Sequence, residues 1–499
     1  MKILSAKQIR ELDAFTIAQR PIASIDLMES ACRAFTAWFV EHFHRVERVG
    51  VICGTGNNGG DGLGIARMLH EQGYLATSWI IRSSMPVTDD FATNLERAGR
   101  AGVKLFEVSA PGTAFLEACD VVIDALFGSG LSRPVDGLYA WAVEAINGAN
   151  ACRIAVDIPS GLMADGPSSG AIVKADYTVS FQLPKLAFLL PRNGGFVGEW
   201  VLVDIGLNRE FIRQAETNLF YTRRKAMRRL LRERHRFDHK GTYGHALLIS
   251  GSLGKIGAAV LAARSALRTG LGLLTVHVPR CGNTILQSSV PEAMVSLDRN
   301  EEIFSSPPAL EIYTALGIGP GLGRSNETAQ ALEFVLDHYR RPIVLDADAL
   351  NILSERKELL NLVPEGSILT PHPKEFERLT GPSHDDFARL EALRNLAART
   401  RCIVVLKGAY TAVADPSGAI HFNSTGNPGM ATGGTGDVLT GIITGLLAQQ
   451  YTPLDAARLG VYLHGLSGDL AAQELGMPSL IASDLTKFLP AAFLKLSRR

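Results

Sequence analysis

Two α/β domains in series, each built on a parallel sheet, are predicted by three features of the sequence. These are a length of 499 residues, an alternation of short apolar runs with helical patterns, and a restart of that rhythm near residue 240. The length exceeds what one core usually organises. The runs VGVICG (49–54), TSWIIR (77–82), DVVIDALF (120–127) and RIAVDIPSG (153–161) are apolar without strict alternation, as strands buried on both faces are. A helix is expected from about residue 62. HALLISGS, LLTVHVP, ALGIGPG, PIVLDADAL, GSILTPHP and CIVVLKG form the second series. The expected division is a first domain over 1–215, a basic connecting segment over 216–235 and a second domain over 236–499.

Composition places the chain among globular proteins: 46% of residues are hydrophobic, 20% are charged, and 50 basic residues balance 50 acidic ones. A neutral chain has no global field to hold a polyanion or an acidic membrane, so neither nucleic acid nor membrane is expected as a partner. The start, MKILSAKQIRELDAF, interrupts any signal-like apolar run with Lys7, Arg10, Glu11 and Asp13. Ser5 with Gln8 three places on predicts a capping box opening a helix. The window 256–278 is apolar but carries Arg264 and Arg268, which excludes a membrane span. Six scattered cysteines form no C-x-x-C pair and are expected to be reduced, and no His or Cys pair has metal-ligand spacing. A cytoplasmic location and a homo-oligomer are expected.

The run TRRKAMRRLLRERHRFDHK (222–240) holds nine Lys or Arg against two acids. Without interleaved aromatics to stack bases, it is expected to be a solvated helix or linker rather than a nucleic-acid patch.

Two glycine-rich stretches carry acids. In CGTGNNGGDGLG (53–64), Gly54, Gly56 and Gly59 fit G-x-G-x-x-G after a strand and before a helix, the setting of a phosphate-binding turn. An ordinary dehydrogenase would end its second strand in an acid for the ribose, whereas TSWIIR ends in Arg82, followed by Ser83 and Ser84. The alternative is a purely structural turn, but Asn57, Asn58 and Asp61 exceed what a turn needs. Asp124, Asp157 and Ser160 end further strands and are expected to converge on the same crevice, where Asn58, Asp124 and Ser160 offer oxygens suited to a hard cation. Each acid taken alone could equally cap a helix.

LMESA (27–31), GTGNNGGDG (54–62), DALFGSGL (124–131) and DIPSGL (157–162) resemble the blocks of the NAD(P)HX epimerase family, the YjeF N-terminal domain, over about the first 210 residues. The resemblance implies a Rossmann-like, doubly wound sheet that interconverts the R and S hydrates of NADH and NADPH and binds potassium. It implies substrate contacts from Asn57, Asn58, Gly59, Gly60, Asp61 and Gly128, potassium ligands Asn58, Asp124 and Ser160, and a substrate contact from Asp157. Epimerisation moves protons, so Asp157 is the first choice of acid or base and Lys185 its candidate partner. Cys32 stands where the family shows glycine after LMExA and is expected to lie away from the loop.

The second stretch, NPGMATGGTGDVLTG (427–441), sets five glycines around Asp437. Its TGGTGD resembles the G-x-G-D anion hole of ribokinase-like proteins, in which N–H groups of residues 434–436 would stabilise charge on a transferring phosphoryl group while Asp437 takes the proton of the attacking hydroxyl. The alternative is an ordinary acid at a helix start. HKGTYGHALLISGS, GIGPGLG, LDADALN, LTPHPKEFERL and VVLKGAYT stand in the order of the ADP/ATP-dependent NAD(P)HX dehydratase family over roughly 225–496. That resemblance implies a ribokinase-like domain that phosphorylates the S hydrate and eliminates phosphate, with magnesium and with ADP in bacterial members or ATP in animal ones. It implies nucleotide contacts from Lys407, Gly408, Ala409, Tyr410, Thr411 and Gly436, and hydrate contacts from Ala258, Gly321, His372 and Asp437. His372, fixed between Pro371 and Pro373, is otherwise a rigid-loop residue. Lys374 and Glu375 are candidates to assist magnesium or phosphate. The combined expectation is bifunctional repair of hydrated nicotinamide nucleotides. The rival is a small-molecule kinase carrying an N-terminal binding module.

Overall fold

A computed structural model describes every residue except Arg20, Pro21, Val46, 83–86, 113–115, 117, 118 and Arg499. Ser83 and Ser84 thus lie outside the described residues. The chain divides into two compact units, Lys2–Thr217 and Asn218–Arg499 together with Met1.

The first unit opens with the helix Ala6–Gln19, started by the expected capping box: Ser5 N donates to Gln8 Oε1 (3.0 Å) and Gln8 N to Ser5 Oγ (3.2 Å). Its sheet comprises β1 (Arg48–Cys53), β2 (Leu75–Ile81), β3 (Lys104–Val108), β4 (Val121–Ala125), β5 (Cys152–Val156), β6 (Tyr177–Phe181) and β7 (Glu199–Val203). The order is β3-β2-β1-β4-β5-β6-β7 and every pairing is parallel. This is a doubly wound, Rossmann-like sheet whose order reverses between β1 and β4, where such sheets open their ligand crevice. Successive residues bury against opposite layers, Val51, Ile123 and Ile154 in one and Ile52, Val122 and Ala155 in the other.

Two local expectations are corrected. The helix after β1 begins at Asn57, not near residue 62, so the acidic part of the glycine stretch is helical. Glycine weakens a helix by roughly 1 kcal/mol per residue, but close packing overrides that preference. A Cβ on Gly62 would stand 2.5 Å from Ala125 Cβ, and one on Gly64 would stand 2.5 Å from Cys32 Sγ. Nor does Cys32 lie away from this stretch. The helix Ser24–His42 presses it onto Asp61, whose carbonyl accepts from its Sγ at 3.3 Å.

The second unit holds a ten-stranded sheet of β8 (Leu219–Tyr221), β9 (His245–Ile249), β10 (Leu273–Val278), β11 (Met294–Leu297), β12 (Ala315–Ile318), β13 (Ile343–Leu345), β14 (Ile368–Leu369), β15 (Ile403–Leu406), β16 (Ala412–Ala414) and β17 (Ile420–Phe422). The order is β11-β10-β9-β12-β13-β14-β15-β16-β17-β8. β9 to β15 pair in parallel, β15-β16-β17 form an antiparallel meander, and β8 closes the edge parallel to β17. The switch point lies between β9 and β12.

The segment 216–235 is not a free connection, because it supplies β8 and the short helix Arg224–Arg228 to the second unit. Its arginines close the carbonyl ends of three helices. Arg224 donates to the oxygens of Lys495 and Arg498, Arg232 to those of Gln449 and Gln450, and Arg234 to that of Gly270. The helices Ala482–Ser497, Thr435–Ala448 and Ile256–Arg268 end there. Cations at these negative dipole ends satisfy carbonyls that have no partner within the helix. The apolar window 256–278 is a helix followed by β10, and no helix among the described residues is long and apolar enough to cross a membrane.

Candidate functional sites

In the first unit a cavity of about 530 Å³ opens at the β1/β4 switch point. Asn57, Asn58, Asp61, Gly128, Asp157 and Lys185 line it, as do Ile9, Arg10 and Asp13 from the first helix. Gly59 and Gly60 do not; they lie buried behind it. A Cβ on Gly59 would stand 1.9 Å from Gly54 O, whereas one on Gly56 would meet nothing within 4 Å. Of the three fingerprint glycines, Gly56 alone leaves its space open. Arg82, at the end of β2, is paired with Glu107 at 2.7 Å and is absent from the lining.

Asp157 follows β5 at φ +66°, a conformation that Asp and Asn tolerate better than most side chains, and such strain is concentrated at functional sites. Its Oδ1 accepts from Phe181 N (3.1 Å), Ser180 Oγ (3.3 Å) and Lys185 Nζ. Lys185, only 2% exposed, also donates to Ser180 Oγ (2.7 Å) and faces Phe181 O (3.5 Å). Its three donor positions are thereby occupied, which makes Lys185 a clamp on Asp157. Nearby, burial and then the charge of Asp157 push the Asp13 carboxyl up to about 7. Asp61 is driven well above the carboxylate range by burial and by Asp157, Asp13 and Asp90. No sequence signal had singled out Asp13, whose element lies far from the glycine motif.

Asp124 and Ser160 are fully buried beneath the cavity floor. Ser160 N and Oγ meet Asp124 at 2.7 and 2.6 Å, and Leu126 N and Phe127 N are anchored on the Asp124 and Ser160 oxygens. Asn58 Oδ1 lies 3.3 Å from where Gly128 would carry a Cβ. Burial raises the Asp124 carboxyl to about 6, and among the described residues no cationic side chain pairs with it. The Asp124 carboxylate, the Ser160 hydroxyl and Asn58 Oδ1 are oxygens of the kind a hard monovalent cation takes, whereas the unpartnered Asn58 Nδ2 is a donor and calls for an acceptor.

In the second unit, Asp437 lies in the first turn of the helix Thr435–Ala448. The helix is entered through Gly434 at φ +91°, which provides no side-chain cap, so the first-turn N–H groups are available to an anion. The glycines here have separate tasks. A Cβ on Gly441 would stand 2.1 Å from Ala262 O and one on Gly445 2.3 Å from Thr269 Oγ1, so these two let neighbouring helices close up. Gly436 faces the polar centre, its Cβ direction reaching Lys407 Nζ at 3.4 Å and Asp346 Oδ2 at 3.7 Å.

Asp346, at the end of β13, organises that centre: Lys407 Nζ reaches its Oδ1 at 2.9 Å and Thr440 Oγ1 donates to its Oδ2 at 2.7 Å. Lys407 also faces Glu375 Oε2 at 3.9 Å. Asp437 has no such clamp among the described residues. Burial and the charges of Asp346 and Asp348, opposed by Lys407, push its carboxyl up to about 7, which suits a base working near neutrality. Half-buried His464, its pKa lowered to about 4 by desolvation, holds the helix start by donating Nε2 to Thr435 O at 2.9 Å.

Ala258 and Gly321 meet at the β9/β12 switch point, where a Cβ on Gly321 would lie 3.1 Å from Ala258 Cβ. His372 serves first as a helix cap: Nδ1 accepts from Lys374 N and Glu375 N at 3.1 and 3.2 Å, while Glu375 Oε2 accepts from His372 N at 2.8 Å. The far edge of the ring faces Glu375 Oε1 at 3.4 Å. Gly408 and Thr411 close the β15–β16 turn, with Thr411 Oγ1 on Gly408 O at 3.0 Å; Gly408 and Ala409 are exposed there, and Tyr410 is half-buried. Among the described residues no group of three or more His, Cys, Asp or Glu is arranged to hold a metal. Asp346, Thr440 and His464 were not singled out in the sequence, because their roles arise only where separate strands and helices meet.

The family described as NAD(P)H-hydrate dehydratase matches residues 246–491, and that described as YjeF-related protein N-terminus matches 24–187. The bifunctional NAD(P)H-hydrate repair enzyme Nnr of Moorella thermoacetica is 38% identical over 98% of this chain and 96% of its own. That of Coxiella burnetii is 37% identical over 96% of each. The crystal structure of the ADP/ATP-dependent NAD(P)H-hydrate dehydratase from Bacillus subtilis, co-crystallised with ATP and Mg2+, is similar at a TM-score of 0.50 and 34% identity, covering 56% of this chain and all of that one. The Rossmann-like unit with its polar switch-point cavity and the ribokinase-like unit with its glycine-entered acidic helix thus stand in a chain that matches these relatives along nearly its whole length, and the chain belongs to the bifunctional NAD(P)H-hydrate repair enzymes.

Proposed function

We propose that the first unit interconverts the R and S hydrates of NADH and NADPH, with Asp157 exchanging the proton and Lys185 holding Asp157 in place. Asn57, Asn58, Asp61 and Gly128 contact the hydrate, and Gly59 and Gly60 act from behind by letting the helix start approach. Asn58, Asp124 and Ser160 hold a potassium ion, whose charge would compensate the buried Asp124 carboxylate.

The second unit dehydrates the S hydrate at the expense of ADP. Asp437 takes the proton of the hydrate hydroxyl as that oxygen attacks the terminal phosphoryl group. The N–H groups of residues 434–436 meet the charge that builds on the phosphoryl oxygens. Loss of phosphate then restores the dihydronicotinamide ring, leaving AMP. Lys407, Gly408, Ala409, Tyr410, Thr411 and Gly436 hold the nucleotide with magnesium, and Ala258, Gly321 and His372 hold the hydrate. A dehydratase that accepts one epimer strands the other, which gives the fusion its chemical sense.

The observation that carries this reading is that Asp157 and Asp437 stand at two separate switch points in environments of opposite kind: one clamped by a lysine, the other raised to about 7. The test is recovery of NADH absorbance from mixed hydrates with potassium, magnesium and either ADP or ATP. Recovery beyond the S fraction, faster than spontaneous epimerisation, is expected, and faster with ADP. Recovery that stops at the S fraction removes the epimerase, and a stable phosphorylated product without phosphate release restores the kinase reading. A homo-oligomer in the cytoplasm completes the proposal, and light scattering of the purified chain tests the assembly.

A further inference from the structure

We propose that Asp13 is a second acid–base residue of the first unit, the proton donor that works with Asp157; this rests on the epimerase reading. Asp13 lies on the helix Ala6–Gln19, one turn beyond Ile9 and Arg10, and the three present one face to the cavity that Asp157 and Lys185 line. Asp157 accepts from three donors, whereas Asp13 has no hydrogen-bond or ion-pair partner among the described residues. The same cavity is lined by two further polar groups without partners, Thr55 Oγ1 and Asn58 Nδ2, in side chains only 2% and 8% exposed. Buried polar atoms seldom remain unpaired, so these two point to a polar ligand seated beside Asp13.

The charged groups sharing the cavity are Arg10 on the same helix, Asp61 on the helix after β1, Arg133 and Asp136 after β4, and Asp157 with Lys185. Burial, then the charge of Asp157 opposed by that of Lys185, leaves Asp13 poised near 7, while burial and the charges of Asp157, Asp13 and Asp90 push the Asp61 carboxyl well above the usual carboxylate range. A carboxyl near the working pH beside one held in an ion pair is the environment in which acid and base roles separate.

The chemistry closes with these two groups. Hydration of an enamine places the hydroxyl on the carbon bonded to the ring nitrogen. Asp13 gives its proton to that hydroxyl, the C–O bond breaks as the nitrogen lone pair forms a C=N bond, and water leaves. Water then adds to the opposite face, a new C–O bond forms, and Asp157 takes the proton released. One proton has passed from Asp13 to Asp157 and returns through solvent; nothing is oxidised or reduced. The reverse epimerisation uses the same steps with the roles exchanged.

The test uses the full chain and purified R hydrate, with R-to-S exchange followed through the second unit's own NADH formation and the spontaneous rate subtracted. Asp13→Asn is expected to slow exchange by about 10²–10⁴-fold, the usual range for a general acid, while dehydration of S hydrate is unchanged. In the unsubstituted chain, kcat/KM for exchange should fall as pH rises through about 7, because the donor loses its proton. That limb should vanish in Asp13→Asn. Exchange by Asp13→Asn at the unsubstituted rate, or with the limb intact, overturns the assignment. If thermal unfolding shows Asp13→Asn to be unfolded, Asp13→Glu decides: slowed exchange with a displaced limb supports the assignment, and an unchanged rate and limb overturn it. An unsubstituted chain that does not accelerate exchange overturns the epimerase reading and Asp13 with it, whereas a competent chain with an unaffected variant overturns Asp13 alone.

Discussion

The two glycine-rich acidic stretches look alike in sequence, yet they distribute backbone and charge in opposite ways. After β1 most of the glycines serve packing, and the acid proposed to exchange the proton, Asp157, is brought from another strand and clamped by Lys185. In the stretch before the helix Thr435–Ala448, the acid stands within the motif and is left unclamped, while Asp346, brought from another strand, takes the lysine instead. The difference teaches that a glycine motif marks where backbone must approach something, but the charge partner of each acid is decided by strands distant in sequence.

The sharpest way to break the comparison is Asp437→Asn. Dehydration should fall by about 10²–10⁴-fold while R-to-S exchange continues, since loss of a general base affects only the reaction it serves. Equal loss of both activities in a folded variant contradicts independent sites. The raised Asp437 carboxyl also predicts a pH dependence. The dehydration kcat/KM should rise as pH passes about 7, because the base must be ionised. Stability runs the other way. A carboxyl whose folded pKa lies near 7 and whose ordinary value is 3.8 stabilises the fold fully below 3.8, and that contribution is lost as pH rises to 7. Asp437→Asn should therefore gain in melting temperature relative to the unsubstituted chain at pH 8 compared with pH 4.

Next in size is Lys185→Met. Removing one partner of a buried ion pair leaves an uncompensated charge and costs about 3–5 kcal/mol. The variant should show an earlier unfolding transition of the first unit in calorimetry together with loss of exchange. If the first unit is undisturbed, the clamp reading of Lys185 is wrong.

The glycines sharpen the contrast at smaller scale. Gly59→Ala drives a Cβ into Gly54 O and should cost about 1–3 kcal/mol by overpacking. Gly56→Ala enters open space and should change stability by no more than about 0.5 kcal/mol. Denaturant midpoints of the two variants would separate them, and equal midpoints contradict the division of labour. A small effect is also expected of Arg232→Ala, which uncaps the carbonyls of Gln449 and Gln450 at a cost of about 0.3–1 kcal/mol. Chemical denaturation of the second unit checks it, and no change would return 222–240 to the solvated-linker reading.

Much of the fold was legible because the central strands are buried on both faces. β1, β4, β5, β9, β12, β13 and β15 stand out as continuous apolar runs. The unmarked strands are mostly at edges or are very short. β3 as KLFEV and β7 as EWVLV expose part of their length, and β8, β16 and β17 have only three residues each. In the sites, Asp157, Lys185, Lys407 and Asp437 were legible from motifs. Asp13 was not, because a carboxylate on an amphipathic helix is ordinary until a cavity forms beside it.

By itself the sequence determined the two-domain α/β order, the two glycine turns and the family blocks around them, because buried-strand hydrophobicity and glycine backbone freedom are local properties written in neighbouring residues. Only the tertiary structure decided which acid is clamped and which is left to titrate near neutrality, where the helix after β1 begins, and why arginines crowd 222–240. Each of those depends on a dielectric, a close approach or a carbonyl end that exists only once residues far apart in the chain are packed together.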